Sequence, residues 1–205
     1  MKIYTLIGGV NGSGKSSLTG VLNADRNDLG AIVDPDKIAM EEQYSTVGAG
    51  KAAIRRIESY LHDGITFTQE TTLSGRRVVN TVKRAKELGY LVRLFYVGLN
   101  TVDESLKRIR NRVERGGHNI PTPDVERRFN DRFATLLAIL PYCDEGTFFD
   151  NENGFQAVAQ YKNGRIATLT EHKPLWLKEL LKKERVYENQ FKRPPSTHRA
   201  LPHER

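Results

Sequence analysis

Ten residues near the start of the chain, Gly8-Gly9-Val10-Asn11-Gly12-Ser13-Gly14-Lys15-Ser16-Ser17, constrain the fold more than any other stretch. Gly9 to Ser16 match G-x-x-x-x-G-K-[ST], a loop that works only between a strand and a helix. Glycines let successive backbone N–H groups converge on phosphate oxygens, and the N-terminus of the following helix adds partial positive charge. Both flanks are present: "KIYTLI" reads as a buried strand, and Leu18, Val21 and Leu22 give the next segment a helical apolar face. A nucleoside triphosphate is the expected ligand. Gly9, Asn11, Gly12, Ser13, Gly14 and Ser17 would line it, Lys15 would reach its β/γ-phosphates, and the Ser16 hydroxyl would ligate Mg²⁺.

The rest of the chain supplies what such a loop needs. "AIVD" reads as a second strand, and Ile54, Ile57 and Leu61 place a helix from about Lys51 to Gly64. "ITFTQE" is a third strand, Val78 to Leu88 a helix, and "YLVRLFYVGL" the central strand. Thr101-Val102-Asp103-Glu104 fits a capping box for a helix carrying Val102, Leu106, Ile109 and Val113. Thr122, as cap before Pro123, predicts one helix running to about Pro141. "TFFD" is the last core strand, Asn163-Gly164 the turn of a hairpin, and Leu175, Leu177 and Leu181 mark a final amphipathic helix. Alternating strands and helices imply an α/β P-loop NTPase fold: a mainly parallel central sheet, helices on both faces, and a small helical lid. The expected division is a P-loop domain over 1–171, with a lid at about 108–128 and a hairpin at about 155–170, then a helix and flexible basic tail over 172–205.

Charge needs locating rather than totalling. From residue 172 onward nine Lys and Arg face four Asp and Glu, so this segment carries +5 of the net +7 and the rest only +2. That pattern favours a solvated or partner-bound tail over a nucleic-acid arm. No apolar run reaches the length of a membrane span, no secretion signal is visible, and the single Cys143 excludes an internal disulfide framework; a cytoplasmic location is expected. Cys143 reads as a small packed hydrophobe.

A P-loop alone does not name a reaction. No N-K-x-D or D-x-x-G occurs to suggest a regulatory GTPase, and Leu73-Ser74-Gly75-Arg76-Arg77 leaves the L-S-G-G-Q pattern of transporter ATPases after three residues. Asp34-Pro35-Asp36 ends the second strand beside the phosphate loop, where Asp36 could take the proton of an attacking hydroxyl; a helix cap or a water-mediated Mg²⁺ contact are the alternatives. Glu70, with Thr71 and Thr72, ends the third strand. It suits a sugar-like polyol or, in the competing view, the Mg²⁺ surroundings. Arg108, Arg112 and Arg115 fall four and three residues apart on one helical face, donors for a transferring phosphoryl group or simply a solvated stripe. Gly116-Gly117 reads as a lid hinge, and Arg127 and Arg128 as further cations of the same kind.

Together these residues resemble the zeta toxin family of P-loop kinases in its shorter, single-domain branch. "GGVNGSGKSS", "IVDPDKIA", "ETTLSG", "AKELGYLVRLFYVGL" and "RVERGGHNIP" carry the resemblance in that order, from about Ile3 to Asn151. The resemblance implies an ATP-dependent toxin, paired with an antitoxin, that phosphorylates the sugar 3'-hydroxyl of UDP-N-acetylglucosamine or a related nucleotide sugar. It implies Asp36 as catalytic base and Glu70 and Thr72 as substrate ligands. Arg112 and Arg115, or Arg108 in place of Arg112, would grip ATP phosphates, and Asn151 would contact adenine; Arg128 is placed with the substrate. Two departures stand out: Thr71 where the longer toxins usually have Gly, and "KIA" where an Arg often follows D-x-D. The alternatives are a P-loop kinase for another small metabolite or a nucleic-acid 5' end, and a non-catalytic ATP-dependent binding module. No membrane partner is expected.

Overall fold

Strand β1 (Ile3–Gly8) is buried at all six positions, which requires cover on both faces. A computed structural model describing residues 1–117 and 119–191 shows how that cover is built. β1 runs into the phosphate loop and helix α1 (Lys15–Asp25), followed by β2 (Ala31–Val33), α2 (Pro35–Glu41), α3 (Thr46–Asp63) and β3 (Phe67–Thr71). Then come α4 (Arg76–Glu87), β4 (Leu91–Gly98), α5 (Val102–Glu114), α6 (Thr122–Asn130) and α7 (Arg132–Ile139). A short 3₁₀ turn leads into β5 (Glu145–Asp150), the hairpin β6 (Gln156–Lys162) and β7 (Arg165–Thr168), and α8 (Leu175–Phe191).

Among the described residues the strands form one seven-stranded sheet in the order β2-β3-β1-β4-β5-β6-β7. The first five are parallel, and β6 and β7 extend the sheet antiparallel. This is the expected α/β class with a mostly parallel sheet. Alternate residues of β1 and β4 serve opposite faces. Tyr4, Leu6, Val92, Leu94 and Tyr96 join a large core with side chains of α3, α4, α7 and α8, while Ile7, Phe95 and Val97 pack with Leu18 of α1. Trp176 fastens α8 to the sheet: its indole Nε1 donates to Asp150 Oδ1 at 2.7 Å and its backbone N to Asn100 Oδ1 at 3.2 Å.

Several local expectations shift. α3 begins at Thr46, capped by Ser45, because the glycine-rich "TVGAG" packs as helix with Ala49 buried. Asp34-Pro35 opens α2, whose N-cap is Asp34. The single helix expected after Thr122 is two, broken at Asp131, and its N-cap is Pro121 with no side-chain cap bond. Val21, Leu88, Val113 and Leu175 face solvent. The hairpin turn forms at Asn163 and Gly164, both with positive φ. The basic tail over 192–205 and His118 of the Arg-Gly-Gly-His stretch lie outside the described residues. No helix among the described residues is long and apolar enough to cross a membrane. Cys143 is buried and donates to the Ile139 carbonyl, and burial pushes its thiol up to about 12.

Candidate active site

The parallel strands all end on one edge, and β1 sits where the chain's path turns from one side of the sheet to the other. That crevice is where open α/β sheets bind ligands. A cavity of about 580 Å³ opens there, floored by Asn11, Gly12, Gly14, Lys15, Ser16 and Ser17. Gly14 caps α1 at φ 100°, and the Asn151 amide nitrogen occupies the space a Cβ would need, so glycine is required twice over. The same amide donates to the Ser13 carbonyl at 2.9 Å, and Ser105 Oγ of α5 donates to the Asn11 carbonyl at 2.6 Å. The loop is thus held in shape from two sides. Lys15 donates to the Val10 carbonyl at 3.1 Å. Desolvation pulls its ammonium below the ordinary lysine range, against the pull of Glu70, Asp36 and Asp34.

Glu70 lies almost fully buried beneath the loop. One carboxylate oxygen accepts from Ser16 Oγ at 2.8 Å and the other from Thr19 Oγ1 at 2.5 Å. Burial raises its pKa, with Asp34 adding to the rise and the two hydroxyls opposing it. This geometry departs from the picture of Glu70 facing a polyol. Both oxygens engage α1, and the Mg²⁺-side alternative fits them better. Among the described residues no three His, Cys, Asp or Glu side chains gather into a metal cage. Mg²⁺ ordinarily takes one or two carboxylates together with substrate phosphates and waters, and Ser16, Glu70 and Asp34 match that donor set.

Asp34 accepts from the Asp36 backbone N at 2.9 Å, so the capping role suggested for Asp36 belongs to Asp34, whose carboxyl burial pushes upward in pKa. Asp36 projects from the first turn of α2 with its side chain 58% exposed, and Arg112 Nη1 lies 3.7 Å from its Oδ2. Thr72 lines the cavity with its hydroxyl paired to Ser74 at 2.8 Å. Thr71, at the usual glycine position, uses its hydroxyl to accept from Leu73 N and hold a turn in which Leu73 has φ 52°.

The arginine stripe divides. Arg108 and Arg112 line the cavity, Arg108 being held by Glu104 and by the Asn151 carbonyl. Arg115, the C-cap residue of α5, is exposed and outside the lining. Gly116 N donates to Val113 O and Gly117 N to Arg112 O, both at 2.9 Å, with Gly116 at φ 83°: a Schellman ending. These glycines end the helix and turn the chain at the position where a hinge is expected. Gly117 also lies against Arg112, where an added Cβ would come within 2.5 Å of Cγ. Arg128, expected with the substrate, lines the cavity and also reaches the phosphate loop, Nη1 to Asn11 Oδ1 at 3.2 Å. Asn151, expected at adenine, holds the loop and is not in the cavity lining.

Residues that sequence reasoning passed over also line the cavity: Thr46 and Gly50 of α3, Gln69 of β3, Asn119 ahead of α6 and Asp124 within it. Their signals were weak. Thr46 and Gly50 precede the helix start expected at about Lys51, although Ser45 three residues before Gly48 is a usable cap.

No protein-family profile matches the chain. An uncharacterized protein of Haemophilus influenzae is 38% identical over 126 residues, covering 59% of this chain and 88% of that one. Among solved structures, one from the PezAT chromosomal toxin-antitoxin system of Streptococcus pneumoniae superposes with a TM-score of 0.59 at 17% identity, covering 93% of this chain and 87% of that one. A chain of the AvrRxo1-ORF1:-ORF2 complex with ATP gives a TM-score of 0.60 at 18% identity and 89% coverage. This chain spans 63% of that longer one. At such identities the likeness is one of fold.

Proposed function

We propose that this chain, which belongs to one family with the Haemophilus influenzae protein and has the zeta-toxin-like P-loop kinase fold, is an ATP-dependent phosphotransferase acting on a hydroxyl of a small molecule. The observation that carries the reading is the shared cavity of Asp36 and the phosphate loop, with Arg112 beside the carboxylate. A loop of this kind holds the donor; a carboxylate facing it gives the acceptor hydroxyl somewhere to lose its proton.

In this mechanism the triphosphate lies along residues 9–17, its charge met by Lys15, Arg108, Arg112 and Arg128. Asp36 accepts the proton as the acceptor oxygen bonds to the γ-phosphorus and the bond from that phosphorus to the β,γ-bridging oxygen breaks, leaving ADP. Ser16, with Glu70 and Asp34 behind it, would hold Mg²⁺, which supplies charge neutralisation on the phosphates when bound. α5 and α6 close over the donor side, and the Schellman ending of α5 keeps Arg112 inward. Exclusion of water by this cover favours transfer to the acceptor over ATP hydrolysis.

The resemblance selects the acceptor to test first: the sugar 3'-hydroxyl of UDP-N-acetylglucosamine, placed between the lid and α2, with Thr72 beside it. It also proposes a toxin held in check by an antitoxin in the cytoplasm. The PezAT and AvrRxo1 likenesses support this, the first being described as a toxin-antitoxin system and the second as a two-protein complex with ATP. The test is an acceptor screen with purified protein, ATP and Mg²⁺, read by mass spectrometry, with nucleotide sugars, free sugars, nucleosides and 5'-hydroxyl oligonucleotides as arms. Phosphorylated nucleotide sugar supports the full reading. Product in another arm replaces the acceptor, and ADP formed in none of them counts against a kinase.

A further inference from the structure

Arg132, the first residue of α7, is a buried cation that the mechanism above does not use: it is 8% exposed. Its Nη1 donates at 2.7 Å to the Phe129 carbonyl in the last turn of α6, an oxygen that the backbone N–H of the C-cap residue Asp131 also reaches. Its Nη2 pairs with Glu179 of α8. The guanidinium lies over two aromatic rings, 4.0 Å from the centroid of Phe129 and 4.5 Å from that of Phe133. Its Nε is buried with no hydrogen-bond partner among the described residues, so the group depends on the Phe129 carbonyl, the Glu179 pair and the rings.

What Arg132 holds leads to the site. Phe129 belongs to a small buried cluster with Val10 of the phosphate loop and Leu99. The preceding residue, Arg128, bonds Asn11 of the same loop. Contacts therefore run without interruption from α8 through Glu179 and Arg132 to the end of α6, and from there to two adjacent residues of the loop. The break at Asp131 makes this end of α6 a place where its orientation is set by side chains rather than by a continuous helical backbone.

We propose that Arg132, held by Glu179, is a positioning residue for the ATP site: it fixes the end of α6, and with it Arg128 and the phosphate loop, so that α8 takes part in shaping donor binding. The inference rests on ATP occupying that loop. If the pair served only to fasten helices, losing it would lower stability without favouring one substrate over the other.

The test compares Glu179→Ala, Glu179→Gln and Lys183→Ala with the wild type, by calorimetric ATP binding and by steady-state kinetics on whichever acceptor the screen identifies. Glu179→Ala should weaken ATP binding about tenfold, a coupling of ordinary size, and raise KM for ATP while KM for the acceptor stays put. Glu179→Gln, which keeps an oxygen acceptor, should fall between. Lys183→Ala removes the outer pair with Glu179 and a 5.9 Å contact of the ammonium with the Phe133 ring, leaves the bonds of Arg132 itself in place, and should match the wild type. Should Glu179→Ala fail to fold, Glu179→Gln carries the comparison. Wild-type ATP affinity in folded Glu179 variants overturns the coupling alone, as does an equal loss of ATP and acceptor affinity. A wild-type protein that binds no ATP overturns the donor-site reading and the coupling with it.

Discussion

Arg112 and Asp36 meet across the mouth of the cavity, guanidinium Nη1 3.7 Å from carboxylate Oδ2. One is proposed to grip the phosphoryl group in transfer and the other to take the acceptor's proton. A donor phosphate entering between them competes with Asp36 for the same guanidinium and so frees the carboxylate for the hydroxyl. Arg112→Ala should lower kcat by about 10²-fold or more, as expected for loss of a donor to developing charge. Arg112→Lys should recover only part of it, since an ammonium lacks the planar fork. Steady-state kinetics on both variants check this, and a kcat within about twofold of wild type would contradict it.

Gly117 sets the position of Arg112. A Cβ there would come within 2.5 Å of Arg112 Cγ and 2.8 Å of its carbonyl oxygen. Gly117→Ala should therefore impair phosphate transfer by displacing Arg112. Gly116→Ala, next to it at φ 83°, should cost about 1 kcal/mol of stability through backbone strain. Thermal unfolding beside kinetics separates the two. Equal behaviour of the pair would indicate a plain loop.

Asn151 distinguishes two roles by nucleotide choice. Its amide holds the Ser13 carbonyl and fills the space beside Gly14, so Asn151→Ala should weaken ATP and GTP binding together, by about tenfold. A loss confined to ATP would point to the adenine contact that the resemblance implied.

The difference between Asn151's expected and observed surroundings reflects what a sequence can carry. The alternation of strands and helices, the phosphate loop and the carboxylates at strand ends are legible, because each motif sits at a β–α junction whose position the parallel sheet dictates. Arg115 shares the helical spacing of Arg108 and Arg112, yet as the C-cap residue of α5, just ahead of the Schellman turn at Gly116-Gly117, it stays outside the cavity lining; spacing alone does not separate the three. α2 starts earlier than the cap suggested at Asp36 implies, because Asp34 before Pro35 is itself a helix start. Glu70's partners, Ser16 and Thr19, lie 54 and 51 residues away in the chain, and no local pattern announces them.

Away from the site, Asp28 ties the turn after α1 to the sheet. Arg26 and Arg93 both bond it, and the Arg26 hydrogen bond leads in holding its pKa down to about 2 from 3.8. A depressed carboxylate pKa contributes stability above the unfolded value that is lost as pH falls toward the folded one. Asp28→Asn should therefore lower stability near neutral pH by about 1–2 kcal/mol, after allowance for the side chain's partial exposure. The gap should close between pH 3.8 and about 2. Urea unfolding across that window is the check, and a pH-independent difference would mean that charge is not the cause.

The central claim is that Asp36 is the base of a kinase whose donor lies in the phosphate loop. It is tested most directly by Asp36→Asn, with ATP binding and product formation measured on the same preparation. ATP affinity should stay near that of the wild type while phosphorylated acceptor falls by about 10²- to 10⁴-fold, the range general base catalysis supplies. An Asp36→Asn protein that binds ATP and forms product at the wild-type rate would contradict the claim.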